Sequence, residues 1–405
     1  MDGLLGIVLF VGATFAALVA LVAHYSLLTN HYSPFTIRAT KRFLPRCSES
    51  FRRMTTDADI LFERRGVAGI VTLNRPKALN AITHAMVRAL AATLAEWAKD
   101  DGITRVLLQA AGERAFSAGG DIRALYELGR AVRHAEALQF WRDEYMLNTL
   151  IKRYPKPYVA LIDGIVMGGG VGISVHGSHR VAGDRFQFAM PEVGIGFFPD
   201  VGATWFLPRM PGEIGTYCAL TGERMKNADA VPFGIATHSV ASSRFAELAD
   251  ALTDAAPVDA VLAAFAEKLG TGTLSVYRAA IDRLFDADHV EDILAALDRE
   301  AISRSDEAGF AGAAAATIRG KSPTSLKIAL AQLRGGKEWS FTDCMKMEFR
   351  IVSRIIYRHD FYEGVRAAII DKDNAPRWNP ARLGKVLEAD IDRYFAPLET
   401  ELELP

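Results

Sequence analysis

Three times between residues 106 and 202 the chain repeats one order: a short run of strand-forming residues, then a junction rich in glycine or proline, then a helical pattern. Val106-Leu107-Leu108 runs into Ala115-Phe116-Ser117-Ala118-Gly119-Gly120-Asp121, and Tyr158-Val159-Ala160-Leu161-Ile162 runs through Gly164 into Gly168-Gly169-Gly170-Val171-Gly172. Phe186-Gln187-Phe188-Ala189-Met190 leads into a third junction, residues 191–202. Strands that alternate with helices call for an α/β body with crossover connections. Ahead of the repeats, Ile60-Leu61-Phe62-Glu63-Arg64 and Ile70-Val71-Thr72-Leu73, separated by Gly66 and Gly69, read as a hairpin. A helix follows, with Thr83 as its cap and Met86, Leu90, Leu94 and Trp97 at helical spacing. Beyond Pro257 the pattern turns mostly helical, as in residues 293–299 and 326–333. The expected division is a catalytic core over residues 54–256 and a helical C-terminal region over residues 257–405.

The 405 residues carry 47 Lys plus Arg against 48 Asp plus Glu, so no net positive field draws the folded body to nucleic acid. Cys47, Cys218 and Cys344 are odd in number and far apart, which fits a reducing compartment better than a disulfide framework.

Residues 3–23, GLLGIVLFVGATFAALVALVA, hold no charge, and about 20 such residues suffice to span a bilayer as a helix. Arg38, Lys41, Arg42, Arg46, Arg52 and Arg53 follow, opposed only by Glu49, and the positive-inside rule would leave the next domain in the cytoplasm. A cleaved signal peptide fits poorly, because no charged leader precedes the apolar run. Two expectations compete: residues 1–53 are a membrane anchor with a basic linker, or translation starts at Met54 and they are an over-extended reading frame. The catalytic domain is expected in the cytoplasm in either case.

Glycines at 168–170 let the backbone pass close to a ligand, and a helix start leaves N–H groups without partners. The loop at 117–120 offers a second set of amides, and two donors converging on one carbonyl oxygen make an oxyanion hole. Glycine at such junctions mostly serves tight packing, so by itself the signal is weak. Glu192 and Asp200 share a segment otherwise made of Val193, Ile195, Phe197 and Phe198. Apolar surroundings push a carboxyl pKa upward, which suits acid–base or nucleophilic work. By themselves the same residues also read as a turn cap and a solvated turn acid after proline.

Other chemistries are set aside. Gly172-Ile173-Ser174-Val175-His176 breaks the nucleophile elbow G-x-S-x-G at its last glycine, so Ser174 reads as core. The glycine run has neither the G-K-[ST] of a P-loop nor the G-x-G-x-x-G of a dinucleotide site. His176 and His179 lack a third metal ligand nearby.

NRPKALNA at residues 74–81, AFSAGGDI at 115–122, DGIVMGGGVG at 163–172 and MPEVGIG at 190–196 resemble, in order and spacing, the crotonase (enoyl-CoA hydratase/isomerase) superfamily. RDEYMLN at 142–148, GIGFFPDVGATWFLPR at 194–209, SPTSLKIAL at 322–330 and HDFYEGVRAAIIDKD at 359–373 resemble its 3-hydroxyisobutyryl-CoA hydrolase branch. The resemblance runs from about residue 60 to the C-terminus.

What it implies is an α/β spiral of ββα units with a C-terminal helical region, acting on an acyl-CoA thioester. Ala118 and Gly169 match the oxyanion-hole amides, Glu192 the catalytic glutamate, Asp200 the acid of the F-P-D-V-G segment, and Glu144 a residue of the substrate pocket. No metal or redox cofactor is implied, since CoA is part of the substrate, and the state of assembly stays open. Hydratases of the family carry a second glutamate in G-G-G-x-E, where this chain has Gly172. Thioester hydrolysis is therefore the expected reaction, with hydration or isomerisation as the alternative and acyl-CoA binding without chemistry as a third. Glu192 would attack the carbonyl or deprotonate a water, and the residues leave both open.

Overall fold

A computed structural model describes residues 58–404. The proposed anchor, residues 3–23, and its basic linker lie outside the described residues.

Strands β1 (Ile60–Arg65) and β2 (Ala68–Leu73) pair antiparallel with Arg65 opposite Ala68, and Gly66 at φ 56° makes the tight turn between them. This is the hairpin read from the sequence. Helix α1 (His84–Trp97) follows, its first turn capped where the Thr83 hydroxyl accepts the Met86 N–H at 3.2 Å. It buries Met86, Leu90, Leu94 and Trp97, the stripe expected from their spacing.

Each repeat then lays down two strands instead of one. β3 (Arg105–Ala110), β5 (Tyr158–Ile162), β7 (His179–Ala182) and the short β10 (His238–Ser239) join a six-stranded sheet in the order β1-β2-β3-β5-β7-β10, parallel from β2 onward. β4 (Ala115–Ser117), β6 (Ile165–Met167) and β8 (Gln187–Ala189) form a second sheet, β4-β6-β8-β9, with β9 (Met225–Lys226) antiparallel at its edge. The path is the expected ββα spiral. The sequence pattern shows β4 only as part of a glycine loop and β6 only as a junction. Three residues between glycine turns give no alternation to detect.

The second sheet decides where the chemistry can lie. β4, β6 and β8 are parallel neighbours with Ala115 opposite Ile165 and Ile165 opposite Gln187, so their C-terminal ends emerge side by side. The junctions at 118–120, 168–170 and 190–192 therefore meet at one edge, as ligand sites do in open parallel sheets. Their approach is too close for side chains: a β-carbon on Gly119, which sits at φ 108°, would lie 3.3 Å from the Met167 carbonyl oxygen and 3.6 Å from the Gly169 nitrogen.

Leu79 and Asn80 brace the first junction, and both hold left-handed backbone, φ 51° and 53°. The Asn80 side chain accepts the Arg75 N–H at 2.8 Å and donates to the carbonyls of Ala111 and Ala115 at 2.9 and 3.0 Å. Ser117 Oγ donates to the Asn80 carbonyl at 2.8 Å.

Helices complete the unit: α2 (Ile122–Arg130), α3 (His134–Lys152) and the four-residue α4 (Gly169–Gly172) within the repeats, then α5 (Ala203–Phe206), α6 (Pro323–Gly336), α7 (Phe341–Ile355) and α8 (His359–Val365) among those used below. From residue 257 onward the described residues hold helices and no strand.

Asn80→Ala removes three hydrogen bonds and leaves buried groups unpaired, so it should cost on the order of 2–4 kcal/mol of stability. Urea unfolding of wild type and variant checks this, and a loss under about 0.5 kcal/mol would show that the turn holds itself.

Candidate active site

Helix α3 supplies one wall. It is buried along Trp141, Glu144, Tyr145 and Asn148, one face of a 3.6-residue period, and carries acid and amide where a core helix would carry only apolar groups. Glu144 is 2% exposed and Asn148 0%. Both stand against α4, whose glycines make the approach possible. A β-carbon at Gly169 would lie 2.5 Å from Glu144 Oε1, and one at Gly172 would lie 2.7 Å from Val201 Cβ and 2.8 Å from Asn148 Nδ2.

Glu192 opens a 3₁₀ turn, Glu192–Ile195, which Gly196 closes at φ 68°. Its Oε1 lies 3.3 Å from where a β-carbon on Gly168 would stand, while its buried Oε2 meets no hydrogen-bond partner. Asp200 is buried and takes a hydrogen bond from the Tyr145 hydroxyl, 2.9 Å to Oδ2. The segment after it is strained: Val201, β-branched, holds φ 54°, and Gly202 holds φ 89°. Side chains from distant elements pin this segment. Gln332 of α6 donates to the Pro199 carbonyl at 2.6 Å, and His176 Nε2 lies 2.7 Å from the Val201 carbonyl. Glu348 of α7 accepts the N–H groups of Gly202 and Thr204 at 2.8 and 2.9 Å. Burial holds His176 neutral, its pKa pushed down to about 3, so Nε2 carries the proton and donates.

Four buried carboxyls thus share one region, Glu144, Glu192, Asp200 and Glu348, and the charge of Asp200 adds to the rise of the other three. Burial lifts Glu192 well above the ordinary carboxylate range, and the charge of Asp200 adds to it. Burial does the same to Glu144, reinforced by Asp200 and Glu348. Asp200 is pushed up to about 7 by burial, against the pull of the Tyr145 hydrogen bond. Glu348 reaches about 8 through burial and Asp200, offset by its two amides. Such a set favours the protonated form near neutral pH, with Asp200 the member nearest its midpoint.

The expected amide pair needs one correction. Gly169 begins α4, where N–H groups have no acceptor within the helix. Ala118 does not bring its N–H to this place, because it donates to the Leu79 carbonyl at 2.9 Å, folded over it by the left-handed turn. The donor facing Gly169 is two residues on. Gly120 pairs with Ile82 as a parallel bridge in which the flanking groups, the Gly119 carbonyl and the Asp121 N–H, bond Ile82. That geometry turns the Gly120 N–H away from Ile82, and its nitrogen lies 3.1 Å from a β-carbon position at Gly169.

Glu144, Glu192, Asp200 and Gly169 come together as the sequence implied. Tyr145, Asn148, Gln332 and Glu348 were missed. Glu348 left a trace, an acid inside the apolar stripe Met345, Phe349, Val352 and Ile355 of α7. Ser174 is core, donating to the Gly170 carbonyl at 2.8 Å, and no metal-binding cluster of His, Cys, Asp or Glu occurs among the described residues.

The pattern of the enoyl-CoA hydratase/isomerase family matches residues 68–395. The chain is 45% identical over 358 residues to "3-hydroxyisobutyryl-CoA hydrolase, mitochondrial" of Danio rerio, 86% of this chain and 92% of that one. The Homo sapiens protein of the same name is 43% identical over 355 residues, 85% of this chain and 90% of that one. Among solved structures, a carnitinyl-CoA dehydratase from Mycobacterium thermoresistibile gives a TM-score of 0.81 at 45% identity, covering 86% of this chain and 99% of that one. An enoyl-CoA hydratase from Rhodobacter sphaeroides gives 0.78 at 39% identity, covering 84% and 98%. These relatives correct the expected location: the curated ones are named mitochondrial, which overturns the cytoplasmic placement of the catalytic domain. An arginine-rich, acid-poor stretch is as characteristic of an organelle leader as of a cytoplasmic flank, so its charge did not identify a compartment. Among the described residues no helix is long and apolar enough to cross a membrane.

The acids also fix a pH dependence. Asp200 and Glu348 keep their protons in the folded chain to about 7 and about 8, whereas an unfolded chain releases them near pH 4. Their contribution is therefore fully present below about pH 4 and is lost as pH rises to about 7 or 8, levelling above. Denaturant titrations from pH 4.5 to 8.5 should show Asp200→Asn losing less stability with rising pH than wild type, a difference on the order of 4 kcal/mol over the window. Parallel curves would mean that Asp200 titrates as an ordinary carboxylate.

Proposed function

We propose, from the premise that the chain belongs to the enoyl-CoA hydratase/isomerase family, that it hydrolyses 3-hydroxyisobutyryl-CoA, a thioester of valine breakdown, to 3-hydroxyisobutyrate and CoA. Two of the solved relatives are described as a dehydratase and a hydratase, so the choice of reaction rests on the site. The observation that carries it is Gly172. Hydratases that resemble this chain place their second glutamate there, but here a β-carbon would press on Val201 and Asn148 at under 3 Å. Without a carboxyl at that point, addition of water across a double bond lacks half its acid–base pair. Glu192 and Asp200 remain, the pair a thioester hydrolase uses.

In this reading the thioester carbonyl oxygen lies against the N–H groups of Gly169 and Gly120. Both are fixed beforehand, one by a helix start and the other by the Ile82 bridge, so the developing oxyanion meets donors that need not reorganise; such a donor is worth roughly 2.7–4 kcal/mol. Glu192 attacks the carbonyl carbon directly, supported by its free Oε2 and its place beside Gly168. Its proton first passes to Asp200, which burial and Tyr145 poise near neutrality. The new carbon–oxygen bond forms, the carbon–sulfur bond breaks, and the departing CoA thiolate takes the proton from Asp200. Asp200, ionised again, draws a proton from a water that attacks the Glu192 carbonyl carbon of the mixed anhydride. The hydroxy acid leaves as its carboxylate with the oxygen Glu192 supplied, Glu192 is restored with its proton, and Asp200 releases the other proton to solvent. Glu144 lies against Gly169 and lines the acyl side of the site.

Thiol release should be rapid from 3-hydroxyisobutyryl-CoA, while crotonyl-CoA should keep its double-bond absorbance. Loss of that absorbance without thiol release would make the protein a hydratase, and tight binding with neither would make it a carrier. Glu192→Gln removes the nucleophile and should lower kcat by roughly six orders of magnitude, whereas a loss of about two to four would fit a general base instead. Single turnover in H₂¹⁸O should put label into the Glu192 carboxyl and leave the first product unlabelled; label in the product with none in Glu192 would mean that water attacks the acyl carbon.

A further inference from the structure

Asn148 is used by nothing described so far. Its side chain is fully buried, yet neither Oδ1 nor Nδ2 has a hydrogen-bond partner. Its neighbours on α3 spend theirs: Tyr145 donates to Asp200, and Thr149 Oγ1 donates to the Tyr145 carbonyl at 2.9 Å. Leaving a buried polar group unpaired costs about 1–3 kcal/mol, so an amide unpaired at both ends needs a reason. Among the described residues nine buried side-chain polar atoms lack partners, and four of them belong to Glu144, Asn148 and Glu192. All three of these side chains stand against residues 168–172, so the unmet hydrogen-bonding capacity concentrates where the substrate would lie.

Resting on the hydrolase reading above, we infer that Asn148 recognises the hydroxyl group of the acyl chain. Glu144 and Asn148 are one turn apart on α3 and face the two ends of α4, Glu144 at Gly169 and Asn148 at Gly172. A rise of 1.5 Å per residue puts Gly172 about 4.5 Å along from Gly169. With the thioester oxygen on the Gly169 amide, that is the reach of a hydroxyl borne two carbons beyond the carbonyl. A hydroxyl both donates and accepts, and a primary amide answers both: Nδ2–H donates to the hydroxyl oxygen and Oδ1 accepts its proton. Glycine at 172 follows from the same requirement, since any β-carbon there would displace the amide.

The test compares kcat/KM for 3-hydroxyisobutyryl-CoA and isobutyryl-CoA, which differ only in that hydroxyl, in the full-length wild type, Asn148→Leu and Asn148→Ala. Wild type should prefer the hydroxyacyl thioester, and in both variants the preference should fall at least tenfold, about the worth of one buried hydrogen bond. The fall should come through KM of the hydroxyacyl substrate. Asn148→Leu should not lower Tm, because it strands no partner in the protein; Asn148→Ala, which leaves only a small cavity, decides the matter if the leucine does not fit. An unchanged preference would overturn the assignment. So would an equal fall in kcat for both substrates, which would give Asn148 to the attacking water. Wild type that releases thiol from both thioesters alike sinks hydroxyl recognition alone, whereas no release from either sinks the hydrolase reading.

Discussion

Parallel pairing of β4, β6 and β8 is the constraint on which the site depends, because it delivers three chain junctions to one sheet edge at strand spacing. At that distance a β-carbon at 169 or 172 would lie under 3 Å from its neighbours, and 119 and 168 hold positive φ, so glycine at these four positions follows from packing and backbone before any chemistry is considered. Removing the side chains leaves backbone N–H groups as the surface that a ligand meets. The polar groups must then arrive from elsewhere, and they come from α3 on one side and the 192–200 segment on the other.

Burying acids without cations is costly, and the protein meets that cost by keeping protons on them. Glu144, Glu192, Asp200 and Glu348 all have their pKa raised first by burial, and three of them further by the charge of Asp200. Asp200 stands out because the Tyr145 hydroxyl favours its ionised form, which brings it back toward neutrality. One fold thus sets the acids apart, with Asp200 at about 7 while burial and its charge raise Glu144, Glu192 and Glu348. The left-handed Val201 beside Asp200 shows backbone strain at the same place, held by Glu348, His176 and Gln332. Because Gln332 and Glu348 come from α6 and α7, the C-terminal helices are part of the site and more than a cover for the sheets.

Much of this was readable residue by residue. The hairpin, the Thr83 cap, the strand at 158–162 and the glutamate at 192 carry local signals, since periodicity, capping chemistry and apolar surroundings are written in neighbouring residues. Position 118 shows where that reading fails. In AFSAGGDI the amides of Ala118 and Gly120 look alike, and only the Leu79 carbonyl and the Ile82 bridge, some forty residues earlier, decide which one is spent and which one is turned toward Gly169. The three-residue strands β4 and β6 were missed for a related reason, being defined by their partners across the sheet rather than by their own pattern.

The sequence by itself determined the order of elements and the family, and through that resemblance it singled out Glu192 and Asp200, because motifs are residue types at fixed spacing. Only the tertiary structure decided which amides are free, which glutamate caps the strained turn, and why Asn148 lies where a hydratase would hold its second acid. Hydrogen-bond partners and burial are properties of contacts between segments far apart in the chain, and no local pattern encodes them.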